Sequence, residues 1–246
     1  MTRDTTGKET IEFMDNRYLR GGMIILALLM MGLTPPSGLG APKNRYTVLI
    51  DPAHGGDEAG VAADKLWEKD LNLKLALMIR KESQNMANIE VQLTRSTDKT
   101  MTVSERSKAI GVSNPDCLLV LHTNSGFGKK ATGYELYFPG FRQSVTGGGD
   151  PAIILKDMEK NKHLNDSVRL AQFIQAGLET VFPRKGRGLR DAPSPLLDGL
   201  AVSGLIVEIG FMTHTEDRKK LIDEETQKAV ARNLLKGLRD YFQQRP

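Results

Sequence analysis

The 246-residue chain holds one cysteine, Cys117, which excludes a disulfide framework and any cysteine-rich metal cluster. No apolar run reaches the roughly 18 residues that a confident membrane span requires. Neither sign of charge dominates: 34 basic against 30 acidic side chains leave a net +4. So small an excess makes no basic tail, and nucleic acid is not expected as a partner. There is no internal repeat and no sign of a second folded domain. What remains is 39% apolar and 26% charged, a composition that excludes wholesale disorder and suits one α/β domain.

The first segment reads as an address. Residues 23–33, MIILALLMMGL, form a short apolar run preceded by Arg17 and Arg20 and followed by small, helix-breaking residues from Thr34 to Ala41. A basic flank, a short apolar stretch and small residues before a polar chain predict a secretory signal peptide over residues 1–41. Gly38 and Gly40 suit the −3 and −1 positions. Asp4, Glu9 and Glu12 dilute the basic leader, so Met14 is the better start. The alternative is an uncleaved anchor. Either way residues 42–246 are expected to be exported, periplasmic or wall-associated, with membrane contact only through the N-terminal segment. A lone Cys117 suits that compartment because it needs no partner there.

Beyond Asn44, short apolar runs alternate with helical patterns. Strands are expected at Tyr46–Ile50, Ile89–Thr94, Cys117–Leu121, Tyr134–Phe138 (near an edge) and Leu205–Ile209. Helices are expected at Asp70–Met86, Val103–Ile110, Ser167–Phe182 and Glu224–Phe242. Thr102 with Glu105 makes a capping box for the second of these. CLLVL and LIVEI are continuous apolar strands of the kind buried on both faces. The pattern predicts a single α/β domain with a mainly parallel twisted sheet covered by helices on both faces. Residues 140–166 open with a glycine run and read as an insertion. Within it, 150–160 form a short amphipathic helix on a glycine tether.

Three polar residues stand at the ends of three such strands: His54 after the first, His122 after CLLVL, and Glu208 in LIVEIGF. In parallel α/β sheets the binding crevice lies at those carboxyl ends. Glu68, ahead of the first helix, can reach the same end. Two histidines and one glutamate make a typical catalytic zinc set with a fourth position left for water. A further carboxylate must then move the proton, and Glu208 suits that role. Each residue has a plainer explanation taken alone. His54 could serve a turn, His122 the core, and Glu68 the start of a helix. Glu208 resists one, because an unpaired buried carboxylate is costly. Cys117 lies an odd number of positions from His122, so the two point to opposite faces of one strand. His163 and His214 read as surface residues, and Arg95 and Arg106 as loop braces. Asn72 and Asn124 read equally as donors near the site or as caps and turns.

LIDPAHGG, the turn Glu68-Lys69-Asp70-Leu71-Asn72-Leu73, the run Thr94–Asp98 with Arg106, LHTN and VEIGFMT occur in an order that resembles the zinc-dependent N-acetylmuramoyl-L-alanine amidases of the type 3 group. The resemblance runs from about Tyr46 to Phe242. It implies zinc on His54, Glu68 and His122, Glu208 as the catalytic residue, and hydrolysis of the amide joining N-acetylmuramic acid to L-alanine in peptidoglycan. Ala53 departs from the family's usual glycine and demands an allowed φ beside His54. Some members carry a helix in the region of residues 140–166 that blocks the site until a partner removes it. An activator protein acting on that segment is therefore one expectation, and a rim that merely lengthens the groove is the other. Under the first, Asp157 or Glu159 would occupy the open zinc position and Met158 would plug the groove. The chain is otherwise expected to be a monomer. A zinc carboxypeptidase on stem peptides and a non-catalytic wall-binding module are the rival functions. The basic residues Lys129, Lys130, Arg184, Lys185, Arg187 and Arg190 read as a hold on an anionic wall polymer or simply as a solvated face.

Overall fold

β1 (Tyr46–Pro52) is buried from Val48 onward, as a strand inside a sheet must be, and it seeds the architecture. The computed structural model describes residues 45–140, 151–197 and 200–244. The remaining strands are β2 (Ala62–Ala63), β3 (Leu66–Trp67), β4 (Ile89–Leu93), β5 (Cys117–Asn124), β6 (Tyr134–Pro139), β7 (Gly186–Ala192) and β8 (Ser203–Phe211). The helices are α1 (Glu68–Ser83), α2 (Val103–Ser113), α3 (Pro151–Glu179), α4 (Thr215–Ile222) and α5 (Glu224–Gln243). The proposed signal segment, residues 1–41, lies outside the described residues.

Six strands form one sheet in the order β4-β1-β5-β8-β6-β7. β4, β1, β5 and β8 are mutually parallel; β6 runs antiparallel to β8, and β7 runs with β6. The expected mainly parallel α/β domain is therefore present, with two reversed strands at one edge. That reversal matters for the site. The first residues of β6 and β7 lie at the same end of the sheet as the last residues of β1, β5 and β8.

The two faces are unequal. Val48, Ile50, Cys117, Leu119, Leu121, Leu205, Val207 and Ile209 point into the larger cluster, which α1, α3 and α5 cover. The intervening Leu49, Leu118 and Val120 point into a smaller cluster with Ile110 of α2 and Leu197. Alternation along each strand then assigns His122 and Glu208 to the thinly covered face, where side chains can be reached, and leaves Cys117 fully buried on the other.

Some expectations are corrected. Residues 150–182 do not divide into a tethered short helix and a second one, because α3 runs unbroken over Pro151–Glu179. No glycine or proline interrupts residues 152–176, and Leu164, Ser167, Leu170, Ala171, Ile174 and Leu178 continue one buried stripe at helical spacing. The glycine run 147–149 lies outside the described residues, as do the side chains of Asp157 and Glu159. Met158 is exposed on the helix. β7 and α4 were not legible as periodic runs. His214 is not a plain surface residue: it is the N-cap of α4 and its side chain accepts from the Asp217 amide. His163 is half-buried. Thr102 and Glu105 form the expected capping box on α2.

Candidate metal centre and active-site cleft

The chain leaves β1 and turns sharply at His54, which takes a left-handed φ of 64°. The strain beside the site thus falls on His54 itself, and Ala53 is outside the left-handed region, contrary to the concern that alanine raised there. A non-glycine residue keeps such a conformation only if its surroundings impose it. Two buried guanidiniums do so. Arg95 donates to the carbonyls of Pro52 (2.9 Å), Ala53 (3.1 Å) and Lys69 (2.8 Å). Arg106 donates to the carbonyl of His54 (2.8 Å) and to Asp51 Oδ1 (2.5 Å). Both arginines brace the loop, as the sequence suggests.

Glu68 opens α1 and is 3% exposed. Its Oε1 lies 2.8 Å from His122 Nδ1, and its Oε2 lies 3.3 Å from His54 Nε2. The carboxylate also accepts from the amides of Val61 (2.9 Å) and Thr123 (3.1 Å). Burial alone would push this carboxyl up. The bonds from His122, His54 and Val61 outweigh it and hold the group well below the usual carboxylate range. The second nitrogen of His54, Nδ1, is 2.9 Å from Glu58 Oε1, a contact that orients the ring. His54 is raised by its bond to Glu68, against burial and with help from Glu58.

One donor atom from each of His54, Glu68 and His122 lies within 4.8 Å of the others, so this group could hold a metal ion. Gly60 shows how closely the space is fitted. A β-carbon there would stand 2.6 Å from both Glu68 Oε2 and the His54 ring, and its φ of 67° is glycine's own region. Asn72 completes the support: it donates to Glu68 Oε1 and the Ala53 carbonyl and accepts from Thr123 Oγ1 (2.9 Å). Asn72 therefore sits behind the donor set and is not a helix cap.

Glu208 pairs in register with His122 across β5 and β8. Its pKa is pushed up to about 7, chiefly by burial, with His122 opposing and Glu68 and Glu135 adding. On its other side β6 places Glu135 directly opposite. Glu135 is almost buried and accepts from Asn124 Nδ2 (2.9 Å), Tyr137 OH (2.7 Å) and Arg187 Nε (2.6 Å). His122, Glu208 and Glu135 thus form one row across the sheet. Sequence reasoning passed over Glu135 because a search at strand ends looks past the first residues of a reversed strand. On the His122 side, a cleft of about 400 Å³ is walled by Ala53, His54, Met101, Val103, Val120 and Leu196.

Residues 48–240 match the sequence profile of a protein family described as N-acetylmuramoyl-L-alanine amidase. The chain is 30% identical over 196 residues to the N-acetylmuramoyl-L-alanine amidase CwlM of Bacillus licheniformis, covering 79% of this chain and 68% of that protein. It is 28% identical over 221 residues to the uncharacterized protein YqiI of Bacillus subtilis, covering 90% and 97%. Among solved structures, an N-acetylmuramoyl-L-alanine amidase of Clostridium difficile superposes with a TM-score of 0.70 at 26% identity, covering 82% of this chain and all of that one.

Proposed function

Because the chain belongs to the N-acetylmuramoyl-L-alanine amidase family, we propose that it is a zinc-dependent peptidoglycan hydrolase. The bond it cleaves joins the lactyl group of N-acetylmuramic acid to L-alanine. The observation that carries this reading is the convergence of His54, Glu68 and His122 within 4.8 Å, with Glu208 beside His122 in register. Zinc bound to that set supplies a Lewis acid and brings the pKa of water toward about 7. Glu58 holds His54 Nδ1, which leaves Nε2 on the Glu68 side as the nitrogen that would serve as a ligand. Glu68 contributes a permanently ionised oxygen. Glu208 accepts the proton of the attacking water and returns it to the departing alanine nitrogen. A carboxyl balanced near neutrality is suited to taking and giving that proton.

Digestion of whole sacculi followed by mass analysis of the products tests the reading. Free stem peptides are expected from zinc-loaded protein, lost on chelation and restored by zinc. Release of single terminal amino acids would mean a carboxypeptidase, and intact sacculi a wall-binding module. Export belongs to the same proposal, since the substrate lies outside the cytoplasm. A reporter fused to residues 14–41 should leave the cytoplasm. An activator protein engaging residues 140–166 is also part of it, supported by the exposure of Leu155 and Met158 on the first turns of α3.

A further inference from the structure

β7 carries two arginines three residues apart, Arg187 and Arg190, at the open edge of the sheet. In a regular strand an odd spacing sends two side chains to opposite faces. Here it does not. Tyr134 pairs with Gly186 but Leu136 pairs with Leu189, so β7 spends one residue more than β6 over that step. The extra residue is a bulge, and Gly188 within it has φ 97° with open space around its α-carbon, so glycine is present for its conformation and not for room. The bulge delivers both guanidiniums to Glu135: Arg187 Nε at 2.6 Å and Arg190 Nη2 at 3.7 Å. Arg187 also lies over the Phe211 ring, 5.3 Å from its centroid.

Two positive groups therefore share one buried carboxylate, and one positive charge is left over. Both side chains remain accessible, at 41% and 49% exposure, while Glu135 is 6% exposed. Among the described residues, neither Nη of Arg187 has an acceptor. A pair of arginines on a plain solvated face would not need a bulge, a buried carboxylate and an aromatic ring to hold it. The row His122, Glu208, Glu135 leads on to β7, whose backbone lies two strands, roughly 10 Å, beyond Glu208; the Arg187 side chain folds back from there onto Glu135, one strand from Glu208. It is on the side away from the cleft.

We propose that Arg187 and Arg190 form a carboxylate subsite that receives the free carboxylate of the residue following L-alanine in the stem peptide. The inference rests on the amidase reading. The saccharide side of the scissile amide carries no charge, whereas the peptide side does. Two residues of extended peptide reach about 7 Å from the scissile carbon, comparable to the separation of between one and two strands that lies between Glu208 and a guanidinium held on Glu135. Arg187 and Arg190 present the forked donors that such a group accepts. Glu135 is a positioning residue for both. The subsite discriminates a free carboxylate from its carboxamide.

The test compares two synthetic substrates with the zinc-loaded protein, N-acetylmuramoyl-L-alanyl-D-glutamate blocked as its γ-methylamide, so that only the α-carboxylate is free, and the same compound with that carboxylate as a carboxamide. Wild type should prefer the carboxylate. Arg190→Ala leaves all three hydrogen bonds of Glu135 in place, so it is the variant least exposed to misfolding; Arg187→Ala and Arg187→Lys accompany it. Each alanine variant should lose about 10- to 100-fold in kcat/KM on the carboxylate substrate, mainly through KM, and under twofold on the carboxamide. Arg187→Lys should fall between. Equal losses on both substrates, or none on either, overturn the subsite. Calorimetric binding of the product dipeptide separates this proposal from its premise. If wild type cleaves neither substrate yet binds the dipeptide through Arg187, the subsite stands and the amidase reading falls. If polyglycerol phosphate competes in an Arg187-dependent way and the dipeptide does not, the anion is a wall polymer and the proposal is wrong.

Discussion

Glu135 and Glu208 face each other across β6 and β8, one surrounded by three donors and the other pushed up by burial. For Glu135, burial would raise the carboxyl, but Tyr137, Arg187 and Asn124 outweigh it and hold it below its usual range. A lowered carboxyl stabilises the fold fully above its unfolded pKa of 4.5 and loses that contribution as pH falls through the folded value. Glu135→Gln should therefore cost about 1–3 kcal/mol at pH 7, with the deficit closing in acid. Thermal unfolding of both proteins from pH 3 to 8 checks this. A deficit that does not change with pH would contradict it.

The donor set and Glu208 should separate in a metal assay. His54→Ala or His122→Ala leaves two protein ligands, too few to retain zinc well. Glu208→Gln should keep zinc and lose turnover by about 10²-fold or more. Metal content and rate are measured on the same samples. Loss of zinc from the Gln variant as complete as from the His variants would make Glu208 a ligand.

Glu58 is exposed, yet its 2.9 Å contact with His54 Nδ1 gives it a specific task. Glu58→Ala should weaken metal affinity by about 10- to 100-fold with little change in folding stability. Competition with a chromophoric chelator measures the first quantity, and denaturant unfolding the second. Unchanged affinity would remove Glu58 from the site.

Arg106 and Asp51 are 6% and 1% exposed, and Asp51 Oδ1 also accepts from Thr94 Oγ1. Arg106→Met leaves the buried Asp51 carboxylate with the Thr94 hydroxyl but without its charge partner and should cost about 3–5 kcal/mol. Adding Asp51→Asn should recover part of that loss. The double-mutant comparison by urea unfolding reads both effects. Equal stability of the single and double variants would mean that Arg106 acts through the His54 carbonyl and not through Asp51.

Much of this molecule is legible without coordinates. The apolar runs from Val48, Cys117 and Leu205 could only be buried strands, and polar residues at their ends had to meet at one edge of a parallel sheet. His54, His122 and Glu208 stand at those ends and Glu68 can reach them, but the cost of an unpartnered buried charge singles out only Glu208; the other three gain their meaning from the order of the motifs. Parity along β5 alone separates Cys117 from His122. Other features depend on partners far away in the chain. α3 runs on past the polar residues around His163 because its stripe from Leu164 to Leu178 packs on α5 and the sheet, and local composition does not announce that packing. The direction of β6 is set by which strand it joins, and only that reversal brings Glu135 beside Glu208. Arg187 and Arg190 share a face because β7 bulges at Gly188 against β6. The amino-acid sequence determined which side chains carry charge, bind metals and alternate along each strand. The tertiary structure decided strand direction and register, since backbone hydrogen bonding is chemically the same for either direction and takes its choice from the packing of the whole sheet.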